Sequence, residues 1–350
     1  MNLAEALSRT EGMPVVILTS NGAKKYFDYN LPKNVVLQEI FGRTETSSAD
    51  STWLRIYRLV MHNLRLYIWV RSKNLHLLVL EEPRFPIVRI LQANRKVLVV
   101  HNAKLHTTGR AALSYQVKSR LQSLLLSTCN QILTHGQSQA EAIRRESAVP
   151  VHHVALPSVG WVEERLESPD NREPHVGEGD YLLCVGEIRW NKGFDIAARA
   201  AIRANVRLVV AGSVVDQESA AVIENLVADN PRLLDYRPAF VEKQQFDQLI
   251  RGCRAIVIPY RDFQAQSGIV EQARRYNKRI VCSDLPALRE QCGPHWPIWV
   301  IPGDEADLAH ALSNVWISEG TERVDSVGRT QWEEVAYAVS GSVFAEIIVP

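Results

Sequence analysis

Residues 183–195 read LCVGEIRWNKGFD. An apolar run ending at Val185 meets Gly186, then a short polar turn, then Lys192-Gly193 and the Ala-rich stretch FDIAARAAIRA (194–204). That order predicts a buried strand, a tight turn and a helix start. Backbone N–H groups at a helix start carry partial positive charge, and a lysine there adds a full one, so the segment is a candidate phosphate site. A glycine and a lysine also occur in strand–turn–helix units as plain surface features, so the segment must be weighed with its surroundings.

The surroundings repeat the pattern. YLLCVG (181–186), RLVVAG (207–212), RAIVIPY (254–260) and RIVCSD (279–284) read as strands. Residues 194–204, 218–230, 268–276 and 305–316 read as the helices between and after them. Short Val- and Ile-rich runs alternating with helices predict a parallel sheet buried on both faces, wound as a Rossmann-like domain. Ligands of such sheets sit at the carboxyl ends of the strands, where Gly186, Gly212 and Tyr260 fall.

The half before this domain is less regular. PVVILTSN (14–21), HLLVLEEP (76–83), KVLVVHN (96–102) and QILTHG (131–136) read as strands, with helices over 111–127 and from Ser138. Residues 53–71 carry apolar side chains at 53, 56, 57, 60, 61, 64, 67 and 68, which is helical spacing. The expectation is that this stripe packs on the sheet, with Arg55, Arg58, His62 and Arg65 solvated opposite. A basic amphipathic helix lying on an anionic bilayer is the other reading.

At 350 residues, 46% hydrophobic and 23% charged, the chain suits two ordinary globular domains. No apolar run reaches the length of a membrane span, and the N-terminus has no basic, apolar leader pattern. Five scattered cysteines without a C-x-x-C pair predict reduced thiols, as in a cytoplasmic protein. The net charge of +1 hides an asymmetry. Residues 1–165 hold 21 Lys and Arg against 12 Asp and Glu, a net of +9, whereas the remainder holds 19 against 27, a net of −8. A basic half predicts an anionic partner for that half. Nucleic acid is not expected, because no aromatic–basic recognition motif accompanies the charge.

The segments VGEIRWNKGFD (185–195), RLVVAGS (207–213), 239–284 with its PYR…QSG loop, and VVHNAKLHTTG (99–109) together resemble the retaining family 4 glycosyltransferases of GT-B fold, over roughly residues 96–340. The resemblance implies an α/β chain of two Rossmann-like domains facing a cleft. These would be residues 1–165 for the acceptor, a linker at 166–180, residues 181–325 for a nucleotide-diphosphate sugar, and 326–350 as a helix crossing back to the first domain. The family opens with a strand and a Gly-rich loop; here NLAEALSRTEGMPVVILTS (2–20) reads as the first helix and second strand, so that opening strand is expected to be missing.

Carried over residue by residue, the resemblance makes Lys192 the diphosphate-binding lysine. The family's second cation stands where this chain has Glu187, which would repel phosphate, so Arg189 is the expected replacement. Gly186 would let the diphosphate approach, while Phe240 and Val241 would meet the base. Tyr260 and Arg261 would lie close to the sugar. Ser267 and Gly268 would turn their N–H groups to the diphosphate. Gln264 and Gln272 occupy positions where the wider family has two glutamates, and Gln272 would hold the ribose by one accepted and one donated hydrogen bond. Adjacent Glu271 would be turned about 100° away on the helix. His101, Asn102 and His106 would help position donor or acceptor. They lack a neighbouring carboxylate or third histidine, and the chain has no Asp-x-Asp motif, so no metal and no cofactor is expected. The implied activity is transfer of a sugar with retention to a polysaccharide or lipid-linked acceptor, in the cytoplasm; peripheral contact of the basic N-terminal domain with the inner face of the membrane, the other reading of helix 53–71, would suit a lipid-linked acceptor. Two alternatives keep the fold: a nucleotide-sugar epimerase, and a degenerate transferase that binds nucleotide or a partner without turnover. The second alternative draws on Glu187, the glutamines and the missing strand.

Overall fold

The structure, a computed structural model, describes residues 7, 14–20, 33–41, 52–73, 75–81, 90–100, 126–155, 181–318, 335 and 338. The chain divides into two compact units, Met1–Pro157 with Thr330–Pro350, and Ser158–Arg329. The expected linker at 166–180 lies outside the described residues, as do residues 111–125 of the helix expected at 111–127 and most of 326–350.

In the first unit β1 (Val15–Ser20) and β2 (Val35–Phe41) form a parallel pair, and α1 (Thr52–Arg71) follows. A four-stranded parallel sheet has the order β3 (Leu77–Glu81), β4 (Arg95–Val100), β5 (Gln131–Thr134), β6 (Val151–His153), and α2 (Gln137–Glu146) joins β5 to β6. Successive strand side chains point to opposite faces. Accordingly Leu98, Val100 and Ile132 enter one apolar cluster with Leu66 and Val70 of α1, whereas Val97, Val99 and Leu133 enter another with Leu7 and Val335. Both faces of this sheet are therefore covered, as continuous apolar strands require. Gln131 donates from Nε2 to the Ala338 carbonyl at 2.8 Å, tying that segment to β5.

One expectation for this unit is overturned. The helix at 52–71 forms, but of its stripe Tyr67 packs against the apolar cluster of the sheet while five other members face outward. Leu66 and Val70 are the buried residues, while Trp53, Tyr57, Val60, Leu64 and Ile68 are exposed. Apolar residues occupy two faces of α1, and the core takes the face centred on Leu66 and Val70, with Tyr67 at its border.

The second unit is a single six-stranded parallel sheet. Its strands are β7 (Leu182–Val185), β8 (Leu208–Ala211), β9 (Leu234–Arg237), β10 (Ala255–Ile258), β11 (Arg279–Ser283) and β12 (Ile298–Val300). The spatial order is β9-β8-β7-β10-β11-β12, all parallel. Counted within the unit this is 3-2-1-4-5-6, the doubly wound order, which reverses between β7 and β10. Every residue of β7, β8 and β10 is buried. The connecting helices are α3 (Phe194–Ala204), α4 (Gln217–Asp229), α5 (Lys243–Gly252), α6 (Gly268–Arg275), α7 (Pro286–Cys292) and α8 (Glu305–Ile317).

Small side chains let α3 lie close to its neighbours. Ala197, Ala198, Ala200 and Ala201 are buried, and the helix packs against α4 and α8. Asn205 ends it in a left-handed conformation, its N–H bonded to the Ala201 and Ile202 carbonyls. Asp304 starts α8, its carboxylate accepting from the N–H groups of Ala306 and Asp307. All five cysteines are buried free thiols.

Candidate functional site

In a doubly wound sheet the ligand crevice opens beyond the carboxyl ends of the two strands between which the order reverses. Here those strands are β7 and β10, and the segments leaving them are 186–193 and 259–267. The first begins as an extension of the sheet: Gly186 donates to the Ala211 carbonyl at 3.0 Å, and Ile188 donates to the Ser213 carbonyl at 2.8 Å. Residues Trp190–Lys192 then form one 3₁₀ turn, and Gly193 passes the chain into α3 with φ of 65° and ψ of 23°. A Cβ at Gly193 would collide with the Pro259 carbonyl oxygen, so the two segments touch backbone to backbone at this point. A residue that tolerates a positive φ and lacks a Cβ is required there for both reasons.

The segments are laced together. The Arg261 N–H donates to the Asn191 carbonyl at 3.0 Å, Asn191 Nδ2 donates to the Asp262 carbonyl at 3.3 Å, and Arg261 Nη1 donates to the Trp190 carbonyl at 2.6 Å. Arg261 also grips Asp195 with both arms, at 2.8 and 2.6 Å, and Arg199 reaches the same carboxylate at 2.8 Å. Burial pushes the Asp195 carboxyl pKa up, but the hydrogen bonds and charges of Arg261 and Arg199 outweigh it and hold the group below the usual carboxylate range. Arg261 therefore joins the two loops as a strap. Its guanidinium donors face Asp195 and the Trp190 carbonyl.

Lys192 sits at the centre of this framework. Its Nζ lies 3.8 Å from the centroid of the Tyr260 ring and 4.7 Å from that of Phe263, and the two rings are tilted 59° to each other. An aromatic face attracts an ammonium group without cancelling its charge. Glu187 and Arg189 form an ion pair at 2.6 Å. The acid therefore does not stand alone against a phosphate, and Arg189 is not a free second cation. Within segments 186–193 and 259–267, all described, Lys192 is the cation without a carboxylate partner.

The Tyr260 hydroxyl lies 3.3 Å from Ser267 Oγ, and both residues are buried. The Ser267 N–H donates to Gln291 Oε1 at 2.7 Å, while Gln291 Nε2 donates to the Ser267 carbonyl and to Glu271 Oε1. That buried amide clip corrects one expectation: the Ser267 N–H is occupied by Gln291 rather than turned to a ligand, and Gly268 opens α6 with its N–H outside the clip. Glu271 is buried and accepts two bonds from Arg274 Nη1, at 2.7 and 2.8 Å, so its carboxylate belongs to the interior. Gln272, next along α6, is half-buried.

Phe240 and Val241 lie beyond β9, the edge strand two places from β7; Phe240 is exposed and Val241 packs partly on the core. His101, Asn102 and His106 follow β4 but lie outside the described residues. The structure thus brings together Lys192, Tyr260, Arg261 and Ser267, with Gly186 at the start of the same turn, bonded to β8. Phe263, Asp195, Asn191 and Gln291 are members of the same framework that sequence reasoning missed. Only the Asp195–Arg199 spacing of four residues in a helix gave a local sign. Among the described residues no group of three His, Cys, Asp or Glu side chains could hold a metal ion, and no helix is long and apolar enough to cross a membrane.

No protein-family model and no curated protein matches the chain. Solved structures do. The chain is similar to sucrose-phosphate synthase from Thermosynechococcus elongatus, with TM-score 0.71 and 16% identity over 97% of this chain and 90% of that one. It is similar to HepE of Anabaena in complex with UDP, with TM-score 0.59 and 12% identity over 97% and 90%. It is also similar to the α,α-trehalose 6-phosphate synthase of Burkholderia multivorans, with TM-score 0.59 and 12% identity over 83% and 74%. These neighbours are GT-B glycosyltransferases, and the likeness establishes the fold class: α/β, with Rossmann-like parallel sheets.

Proposed function

We propose that the chain is a glycosyltransferase that takes a hexosyl group from a nucleoside-diphosphate sugar with retention, without a metal ion, and passes it to a polysaccharide or lipid-linked acceptor. The observation that carries this reading is Lys192: an unpaired ammonium held on two aromatic rings at the reversal point of the sheet, directly before the start of α3. No side chain caps α3, so its first N–H groups add their positive end to the same place. As the bond between sugar C1 and the β-phosphate oxygen breaks, negative charge collects on the diphosphate. A fixed cation there stabilises the transition state more than the bound donor. HepE, solved with UDP, supports a nucleoside diphosphate as the ligand.

The acceptor has a second reading. A similar trehalose-phosphate synthase, from Burkholderia xenovorans, was solved with glucose-6-phosphate, which favours a sugar phosphate. The test is transfer from UDP-, GDP- and ADP-sugars to sugar-phosphate and glycan acceptors, with the product anomer read by NMR. Lys192→Ala should lower turnover by about 10²- to 10³-fold, and unchanged turnover overturns the assignment. Nucleotide binding without transfer to any acceptor would instead mark a degenerate transferase.

A further inference from the structure

α1 carries an apolar row that its own unit leaves uncovered. One side of the helix is anchored: Leu66 and Val70 are in the core, and Trp69 donates from Nε1 to Gln38 Oε1 of β2 at 2.9 Å. Away from that side, Trp53, Tyr57, Val60, Leu64 and Ile68 recur at steps of three and four. At 100° per residue they share one face. Each keeps between 45% and 80% of its surface exposed. Single exposed apolar residues are ordinary, but a contiguous row four turns long marks a surface that meets something.

The charge around the row says what. From residue 51 to residue 80 the chain has Arg55, Arg58, Arg65, Arg71 and Lys73 and not one Asp or Glu. On the helical wheel Arg58 and Arg65 border the apolar row, between it and His62. The His62 imidazole pKa is lowered, first by burial and then by the charges of Arg65 and Arg58, which is the sign of a local positive field. The whole half that carries α1 has a net charge of +9.

We propose that this face of α1 rests on an anionic lipid surface. The row enters the boundary between headgroups and acyl chains, with Trp53 and Tyr57 at headgroup level. Exposed Arg65 lays its stem along the apolar surface and turns its guanidinium group to the lipid phosphates. A second copy of α1 fits less well, because the helix has no carboxylate to pair with Arg65. The inference rests on the N-terminal unit alone and is independent of the sugar chemistry assigned above.

The test uses the full chain and vesicles of phosphatidylcholine, alone or mixed with phosphatidylglycerol. Co-sedimentation should occur with the mixed vesicles and weaken as salt is raised. Arg65→Ala should lower partitioning about fivefold. Trp53→Ser with Ile68→Ser should abolish it while circular dichroism and melting stay as in the wild type, and Ile317→Ser, an exposed apolar change in the other unit, should leave it intact. The proposal is overturned by absence of binding to mixed vesicles, by equal binding to neutral ones, or by wild-type binding of the Trp53/Ile68 variant. Size-exclusion chromatography showing a dimer that Trp53→Ser splits would reassign the face to self-association.

Discussion

The helices α1 and α3 obey the same apolar period and end in opposite situations. In α3 the buried apolar residues are mostly alanine, lie on almost every side of the helix and vanish between β-strands and neighbouring helices; its one buried acid, Asp195, is met by two arginines. In α1 the apolar residues are large and spread over two faces. The core claims Leu66 and Val70 and leaves a row facing outward. Periodicity therefore reports that a helix forms, while the shape and charge of its surroundings select which face is covered.

The contrast can be attacked at both helices. The largest effect belongs to the start of α3. Gly193→Val forces a branched side chain into a positive φ and onto the Pro259 carbonyl, and should cost more than about 4 kcal/mol, read as loss of the folded baseline in urea denaturation. The covered face of α1 comes next: Leu66→Ala should cost about 3 kcal/mol by cavity formation, measured by the shift in denaturation midpoint.

Asp195→Asn follows, at about 1–2 kcal/mol near neutral pH, because the three bonds from Arg261 and Arg199 lose their anionic acceptor. Its sign with pH is fixed. The folded-state pKa of Asp195 is depressed, so its contribution is complete above the unfolded carboxylate value and is lost as pH falls from there through the folded pKa. The stability difference between wild type and Asp195→Asn should shrink in acid below about pH 4; a gap that stays constant there would show that the arginines are not its cause. Smallest is Trp53→Ala on the uncovered face of α1, which should change stability by less than about 0.5 kcal/mol. A loss comparable with that of Leu66→Ala would show that the row is covered within the chain.

Much of the second unit was legible because its central strands are uninterrupted apolar runs, LLCV, LVVA and AIVI, which need cover on both faces. What escaped notice lies at the edges. β9 reads LDYR, with one fully buried residue; β12 has three residues; α5 is mostly polar. In the first unit β6 has a single buried residue, Val151, and β2 is broken by Gln38 and Glu39. Short edge elements expose most of their side chains, so little apolar pattern marks them. At the site, Lys192 and Gly193 were visible as a lysine and glycine before a helix. The rings that seat the lysine, and the arginine that braces its turn, come from the loop after β10.

Local sequence by itself determined the strand–helix alternation, the parallel sheet and the phosphate-type turn, because each follows from apolar period and glycine placement over a few residues. Tertiary structure alone decided that Arg261 grips Asp195 and that Lys192 sits over the rings of Tyr260 and Phe263. Those outcomes depend on which side chains meet after β7 and β10 become neighbours, and residues far apart in the chain carry no local sign of meeting.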